Sequence, residues 1–349
     1  MIDISEAKVE SIIIHWVGNK NEEEGLVLSD NQIDLYENPI GELLGKYFLS
    51  PFQGTAQFEF THDASLDLNA IYTYAKHIFT DKSSLRTQSV NICNHLYDTS
   101  SHPKIKSGEV YVVLLSNCYY EGEETEAIGV FKSENKETYL KVLRNKSTFG
   151  LTTEEGINIK KLDKGCLIAN VSEDKGYRVY MIDNINKTDD AQYWRDYFLK
   201  VKPVEDEFLF TKNYMDLCRG FVKEVYNQEH SVNKPDQINM LNKSLNYFKK
   251  NDTFVEDDFM VNVIQEPEVI EAFKDYKTNY VQETKASLPD EAFEINPYAY
   301  KNAKGAFKST LKLDKNFHVY IHGDKQMIEK GYDQEREMNF YKLYYTNEQ

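Results

Sequence analysis

The stretch GEVYVVLLSNCYY, from Gly108 to Tyr120, constrains the fold more than any other part of the chain. A strand with one face in water alternates apolar and polar residues, whereas this run is apolar almost throughout. It therefore reads as a strand covered on both faces, or nearly so. ETEAIGVFKSEN and ETYLKVLRN read as its antiparallel neighbours, with the acidic EGEETE turning between the first two strands. KGCLIANVS and GYRVYMIDN read as a further hairpin joined at EDKG.

Upstream, the β-branched VESIIIHWVG reads as a strand and GLVLSD as a second. The segment NQIDLYENPIGELLGKYFLSPF carries Ile33, Leu35, Leu43, Leu44 and Phe48 and reads as helix interrupted near Pro39. In DLNAIYTYAKHIFTD, Leu68, Ile71, Tyr72, Ala75 and Ile78 recur close to a 3.6 period, which predicts a helix. SSLRTQSVNICNHLYD predicts another, with Ser83 or Ser84 as its N-cap.

The segment INKTDDAQYWRDYFLKVKPVEDE is polar, then short-helical, then broken at Pro203, and reads as a domain boundary. Beyond it Phe210, Tyr214, Leu217, Phe221 and Val225 mark one helix, and Ile238, Leu241, Leu245 and Phe248 a second. DTFVEDDFMVNVI and PEVIEAFKDYKTNY predict a third and fourth, the last with Pro267 in its first turn. The C-terminus returns to strands in AFKSTLKL, FHVYIHG and MNFYKLYYT. The expected class is α+β. Residues 1–190 form a mixed domain around an antiparallel sheet, and residues 191–349 a helical domain ending in a β-meander.

At 349 residues the chain is long enough for two cores, and 41% hydrophobic with 13% aromatic residues describes a globular protein. The net charge of −16 disfavours a broad phosphate-binding surface, so any nucleic-acid contact must lie in a local positive patch. Cys93, Cys118, Cys166 and Cys218 are far apart without a C-x-x-C pair, which signals neither zinc nor a redox motif and predicts reduced thiols. The N-terminus opens with acids, and no uncharged apolar run reaches membrane-spanning length. A soluble, cytoplasmic protein is expected.

One local patch stands against the acidic background. Between Tyr300 and His322 there are five lysines and one acid, Asp314. Period-two alternation places Phe307, Leu311, Leu313, Phe317, Val319 and Ile321 toward a core, and Lys308, Lys312, His318, Tyr320 and His322 on the other face. A cationic, aromatic hairpin suits a phosphate backbone. It equally suits a solvated face whose lysines keep a strand edge from aggregating. His318 and His322 lie about 13 Å apart on a strand, too far for one metal ion.

FVEDDFMVNVIQEPEVIEAFKDYKTNY has the length of a helix-turn-helix, but Glu266, Glu268, Glu271 and Asp275 against Lys274 and Lys277 make its second helix acidic. Nucleotide-binding, nucleophile-elbow and zinc-protease motifs are absent. ENK at Glu134–Lys136 matches the E-x-K end of metal-dependent nuclease sites, with Glu121, Glu123, Glu124 and Glu126 as further acids; a solvated turn explains it as well.

VYVVLLSNCYY, AIGVFKSEN, FKSTLKLDKNFHVYIHG, IEKGYD and FYKLYY, in this order, resemble the bacterial nucleoid-associated protein family, the NdpA-like group. The resemblance runs over essentially the whole chain. It implies a cytoplasmic, nucleoid-located protein that binds double-stranded DNA and is not an enzyme, with no cofactor, metal or catalytic residue to carry over. The expected contact residues are Lys301, Lys304, Lys308, Lys312, Lys315, His318, Tyr320 and His322. Binding is expected to be modest, salt-sensitive and of low sequence specificity. The alternatives are an acidic adaptor recruited by a basic nucleoid protein and a metal-dependent nuclease. A homodimer would double the number of basic patches.

Overall fold

A computed structural model describes residues 2–35, 39–185, 193–227, 232–307, 310–321 and 327–347. The chain divides into two compact units, Met1–Val204 and Glu205–Gln349.

The first unit is built on strands β1 (Ile2–Asp3), β2 (Lys8–Val17), β3 (Leu26–Val27), β4 (Ile33–Asp34), β5 (Gln57–Phe60), β6 (Gly108–Tyr120), β7 (Glu123–Ser133), β8 (Glu137–Asn145), β9 (Thr148–Gly156), β10 (Lys164–Ala169), β11 (Arg178–Asp183) and β12 (Val201–Pro203). Ten of them make one antiparallel sheet in the order β12-β5-β11-β10-β7-β6-β2-β3, with β1 paired to β6 and β4 to β2. Helix α1 (Pro39–Leu49) and helices α2 (Ala70–Thr80) and α3 (Leu85–Thr99) accompany it.

The central strand behaves as its composition demands. Val110, Val112 and Leu114 enter one core with Ile71, Ile78, Ile92 and Leu96 of α2 and α3. Tyr111, Val113 and Leu115 enter a second core with Tyr47, Phe48 and Leu49 of α1. The same alternation runs through β10, where Cys166 and Ile168 face α2 and α3 while Leu167 and Ala169 face α1. Each fully buried Val or Leu contributes roughly 1.5–3 kcal/mol, so this double-faced burial is the unit's main source of stability. The β6–β7 turn is Glu121-Gly122, both at positive φ (52 and 86), the tight geometry that matches strand twist. Gly176, at φ 97, closes β10 onto β11; a Cβ there would sit 2.4 Å from the Phe60 carbonyl oxygen.

Three local expectations are corrected. Ile33 belongs to a strand rather than a helix, and the Leu35 amide donates to the Glu10 carbonyl at 2.9 Å. The helix begins at Pro39 instead of being interrupted there, because proline fits a first turn, where its missing N–H costs nothing. ETYLKVLRN is not a neighbour of β6: it pairs with β9 in a separate hairpin, and β10 takes the place beside β7. Ser84 stands at the N-cap of α3, as expected, but its side chain makes no capping bond; Asp81 accepts from the Ser83 amide at 3.0 Å and caps a 3-10 turn, Lys82–Ser84, that leads into the helix.

The second unit is helical: α4 (Glu207–Glu224), α5 (Lys234–Lys250), α6 (Glu256–Phe259), α7 (Pro267–Thr284) and α8 (Pro297–Ala303), with short strands β13 (Thr253–Phe254) and β14 (Phe293–Glu294). Asp206, Asn233 and Asn296 cap α4, α5 and α8 through side chains that accept first-turn amides. The third expected helix starts late, after β13, and widens into a π turn over Met260–Ile264. Tyr214, Phe221, Phe248, Phe254, Phe259, Phe273 and Phe293 dominate the core. The chain ends in two hairpins, β15 (Thr310–Leu313) with β16 (Phe317–Tyr320), and β17 (Ile328–Asp333) with β18 (Met338–Leu343).

One buried polar group gives the first unit a pH signature. His15 on β2 is 2% exposed; its Nδ1 accepts from the Ser29 amide at 3.0 Å and its Nε2 lies 2.9 Å from Ser89 Oγ. Because Nδ1 is an acceptor, the neutral ring carries its proton on Nε2 and donates to Ser89, which donates onward to the Arg86 carbonyl. Burial, with Arg86 nearby, pushes the His15 pKa down to about 4. The unfolded chain then takes up this proton first, near pH 6.5, so stability is lost as pH falls from about 6.5 to about 4, by on the order of 3 kcal/mol. Urea unfolding across this range should show that slope, and a His15→Gln variant should lack it; equal slopes would refute the assignment.

Candidate nucleic-acid interface

The basic hairpin stands on α5. Leu311 of β15 and Ile321, next to β16, are buried with Ile238 of α5, and Leu313, Val319, Ile328 and Tyr341 pack around them. Asn242 of α5 donates to the Ile321 carbonyl at 3.0 Å, which fixes the hairpin's height on the helix. The register pairs Thr310 with Tyr320, Leu311 with Val319, Lys312 with His318 and Leu313 with Phe317. Directly opposed residues share a face. Lys312, His318 and Tyr320 therefore stand together on the outward side, and all three are exposed. The turn is Asp314-Lys315-Asn316, with Asp314 at φ 51, a left-handed position that Asp tolerates, and Lys315 at the exposed tip.

Lys301 lies in α8 and Lys304 in the 3-10 turn Lys304–Ala306 that follows; both are exposed. Phe307, buried against the helical core, anchors the chain just before the hairpin. Lys308 and His322 lie outside the described residues. One core assignment fails: Phe317, beside the turn, is 63% exposed, although Leu313 opposite it packs against the cluster on α5. It adds a third ring, beside Tyr320 and His318, to the exposed surface of β16. The arrangement presents ammonium groups and flat rings on an exposed strand face, chemistry that suits a phosphate backbone more than readout of base edges.

A second constellation was missed. The segment GVFKSEN carries the side chains of Lys132 and Glu134 into the interior, with Asn135 partly buried beside them. The Lys132 side chain is 0% exposed and forms a 3.0 Å ion pair with Glu134, itself 2% exposed; its Nζ also donates to the Lys106 carbonyl at 2.6 Å. Burial lowers the Lys132 pKa, and the Glu134 carboxylate opposes that shift. Asp163 brackets the same corner, accepting from the Glu134 and Asn135 amides at 2.7 and 2.8 Å. On the adjoining strand Lys164, also 0% exposed, pairs with Asp183 at 2.7 Å and lies 5.5 Å from the centre of the Tyr193 ring. The Tyr193 hydroxyl donates to Glu134 at 3.3 Å, and burial beside Glu134 and Asp183 drives its pKa well up. Charge alone reads as solvent-facing, so nothing in the sequence marked these residues as interior.

This geometry disposes of the divalent-ion reading of Glu134. Its carboxylate is committed to Lys132 and Tyr193, while Lys136 pairs with Glu109 at 2.7 Å. Glu121, Glu123 and Glu124 lie at the opposite end of β7, an 11-residue strand about 35 Å long, and Glu126 pairs with Lys82. Among the described residues, no group of three or more His, Cys, Asp or Glu could hold a metal ion. The helix-turn-helix reading weakens likewise. Phe273 of α7 is core, and Lys277, one of the two lysines in the stretch weighed for recognition, pairs with Glu256 at 2.7 Å. All four cysteines are free and buried, and burial pushes the thiols of Cys118 and Cys166 up to about 12. No described helix is long and apolar enough to cross a membrane.

A family model described as nucleoid-associated protein YejK matches residues 13–339. The matched span runs from β2 into β18 and takes in both the buried ionic corner and the basic hairpin. No curated protein matches the chain.

The ionic corner makes a stability prediction. Lys132→Met strands a buried carboxylate and should cost about 3–5 kcal/mol, whereas Lys132→Met with Glu134→Leu, which removes both charges, should recover much of that loss. Urea unfolding of the two variants measures this; a double variant no more stable than the single would mean that the pair is not the coupled unit described.

Proposed function

Because the chain belongs to the nucleoid-associated protein YejK family, we propose that it binds double-stranded DNA directly, through the face that carries Lys312, Lys315, His318 and Tyr320. This is a family of nucleoid-associated proteins and not of enzymes. The observation that carries the proposal is the exposed cationic and aromatic face of β15 and β16 on a well-anchored hairpin, with Lys301 and Lys304 just before it. Five lysines against one acid make this a local positive patch on a chain of −16. The surrounding acidity sets the strength. It repels the polyanion beyond the patch, so affinity is modest and collapses with salt. Without convergent groups for base edges, sequence preference is low. Association with the nucleoid in the cytoplasm follows from this contact.

The same net charge supports a second reading, in which acidic surfaces engage a basic nucleoid protein and the chain reaches DNA through that partner. Recovery of the partner in a pull-down after nuclease treatment would favour it.

Duplex binding followed by fluorescence anisotropy across a salt series separates the two. If all five lysines meet phosphates, the log–log slope is about −4.5, at roughly −0.9 per contact. A Lys312→Gln, Lys315→Gln variant should flatten it to about −2.7. Absence of binding at low salt, or an unchanged slope in the variant, would overturn direct contact through this hairpin.

A further inference from the structure

The outward face of β15 and β16 carries more than a phosphate contact uses. The His318 and Tyr320 rings share that face, two residues apart on β16, and Lys312 stands directly opposite His318. Tyr320 is 69% exposed, and His318 is exposed too. Among the described residues neither ring has a hydrogen-bond or aromatic partner, and Lys312 and Lys315 form no ion pair. The rings add nothing to the core beneath the hairpin, which Leu311, Ile321 and Ile238 build. They are flat surfaces held bare in water between ammonium groups.

We infer that this face binds a single strand of DNA in preference to the duplex, with one base stacked on each ring while the lysines follow the phosphates. The inference rests on the DNA reading above and refines its ligand. The first support is spacing. Same-face residues of a strand lie about 6.8 Å apart, whereas the bases along one strand of a duplex rise by only about 3.4 Å. Duplex bases cover one another's faces and cannot open to the wider spacing without unpairing. An extended single strand offers its base faces freely. The second support is charge. A duplex carries one phosphate charge per about 1.7 Å of its axis and each of its strands one per about 3.4 Å. A chain of −16 therefore repels the single strand less, and a small basic patch achieves more against it. Stacking then adds attraction that tolerates any base and needs no charge. Phe317 alternates to the other face of β16 and stands outside the platform, although it too is exposed.

Fluorescence anisotropy of the full chain with a labelled oligothymidylate strand, and with a duplex of equal length at the same salt, tests this. The strand should bind at least about tenfold more tightly, and its advantage should persist as salt rises. Tyr320→Leu keeps an apolar side chain and removes the ring. It should weaken strand binding about fivefold to a hundredfold and duplex binding by less than about twofold. Lys312→Gln should weaken both, and Phe317→Leu neither. All three side chains are exposed, so unchanged thermal midpoints should accompany these results. Strand binding without duplex binding would support the inference and remove only the duplex contact. A strand bound no more tightly than the duplex would overturn the inference and leave the duplex contact standing. So would equal losses on both ligands from Tyr320→Leu, or a loss from Phe317→Leu as large as that from Tyr320→Leu. An oligouridylate strand bound more tightly than oligothymidylate would overturn the assignment to DNA. No binding of any of them would remove this inference and the DNA reading together.

Discussion

The first unit depends on hiding both faces of one strand. Between Val110 and Leu115, β6 has no side that water can wet, so helices must lie on both sides of the sheet. Much else follows. The α1 side is closed by aromatic packing, with Phe48 stacked on Phe131 at 4.3 Å. The α2 and α3 side is closed by aliphatic residues together with Phe60, Tyr72, Tyr177, and Trp194 and Phe198 of the π turn Tyr193–Leu199. Neighbouring strands inherit the requirement, which is why β7 and β10 alternate between the same two cores.

A sheet covered on both faces leaves few places for charge, and the chain concentrates it at one corner. Lys132 and Lys164 occupy neighbouring strands at directly paired positions. Two buried ammonium groups side by side repel each other, and each is neutralised by its own carboxylate, Glu134 or Asp183. Tyr193 touches both pairs, by a hydrogen bond to one and by its ring face to the other. Such a cluster adds little net stability relative to an apolar core, but it tolerates no partial loss.

The sequence was a good guide wherever periodicity and burial agree. The β6–β7 and β10–β11 pairs, α2 and the long helices α4, α5 and α7 were legible because apolar spacing reports the core directly. ETYLKVLRN misled because a strand inside a sheet and a strand in a projecting hairpin show similar β-rich patterns; only its partner, β9, tells them apart. Phe317 misled because alternation assigns a residue to a face and does not say how deeply that face is covered beside a turn. In the candidate interface, Lys312, His318 and Tyr320 were legible through period two alone. The buried lysines were not, since their interior position comes from pairing between distant segments.

The clasp at Asp163 has a topological consequence. Strands β7 and β10 are direct neighbours, with Lys132 opposite Lys164, yet some thirty residues separate them in the chain. Asp163, just before β10, holds the two amides just after β7, so the connection is already closed at its base. The whole β8–β9 arm is then the loop of a larger hairpin. Loop closure depends only logarithmically on length, by about 0.6 kcal/mol per doubling. The sheet therefore places almost no thermodynamic constraint on that insertion, which leaves the arm free to diverge in length and composition while the fold beneath it stays fixed.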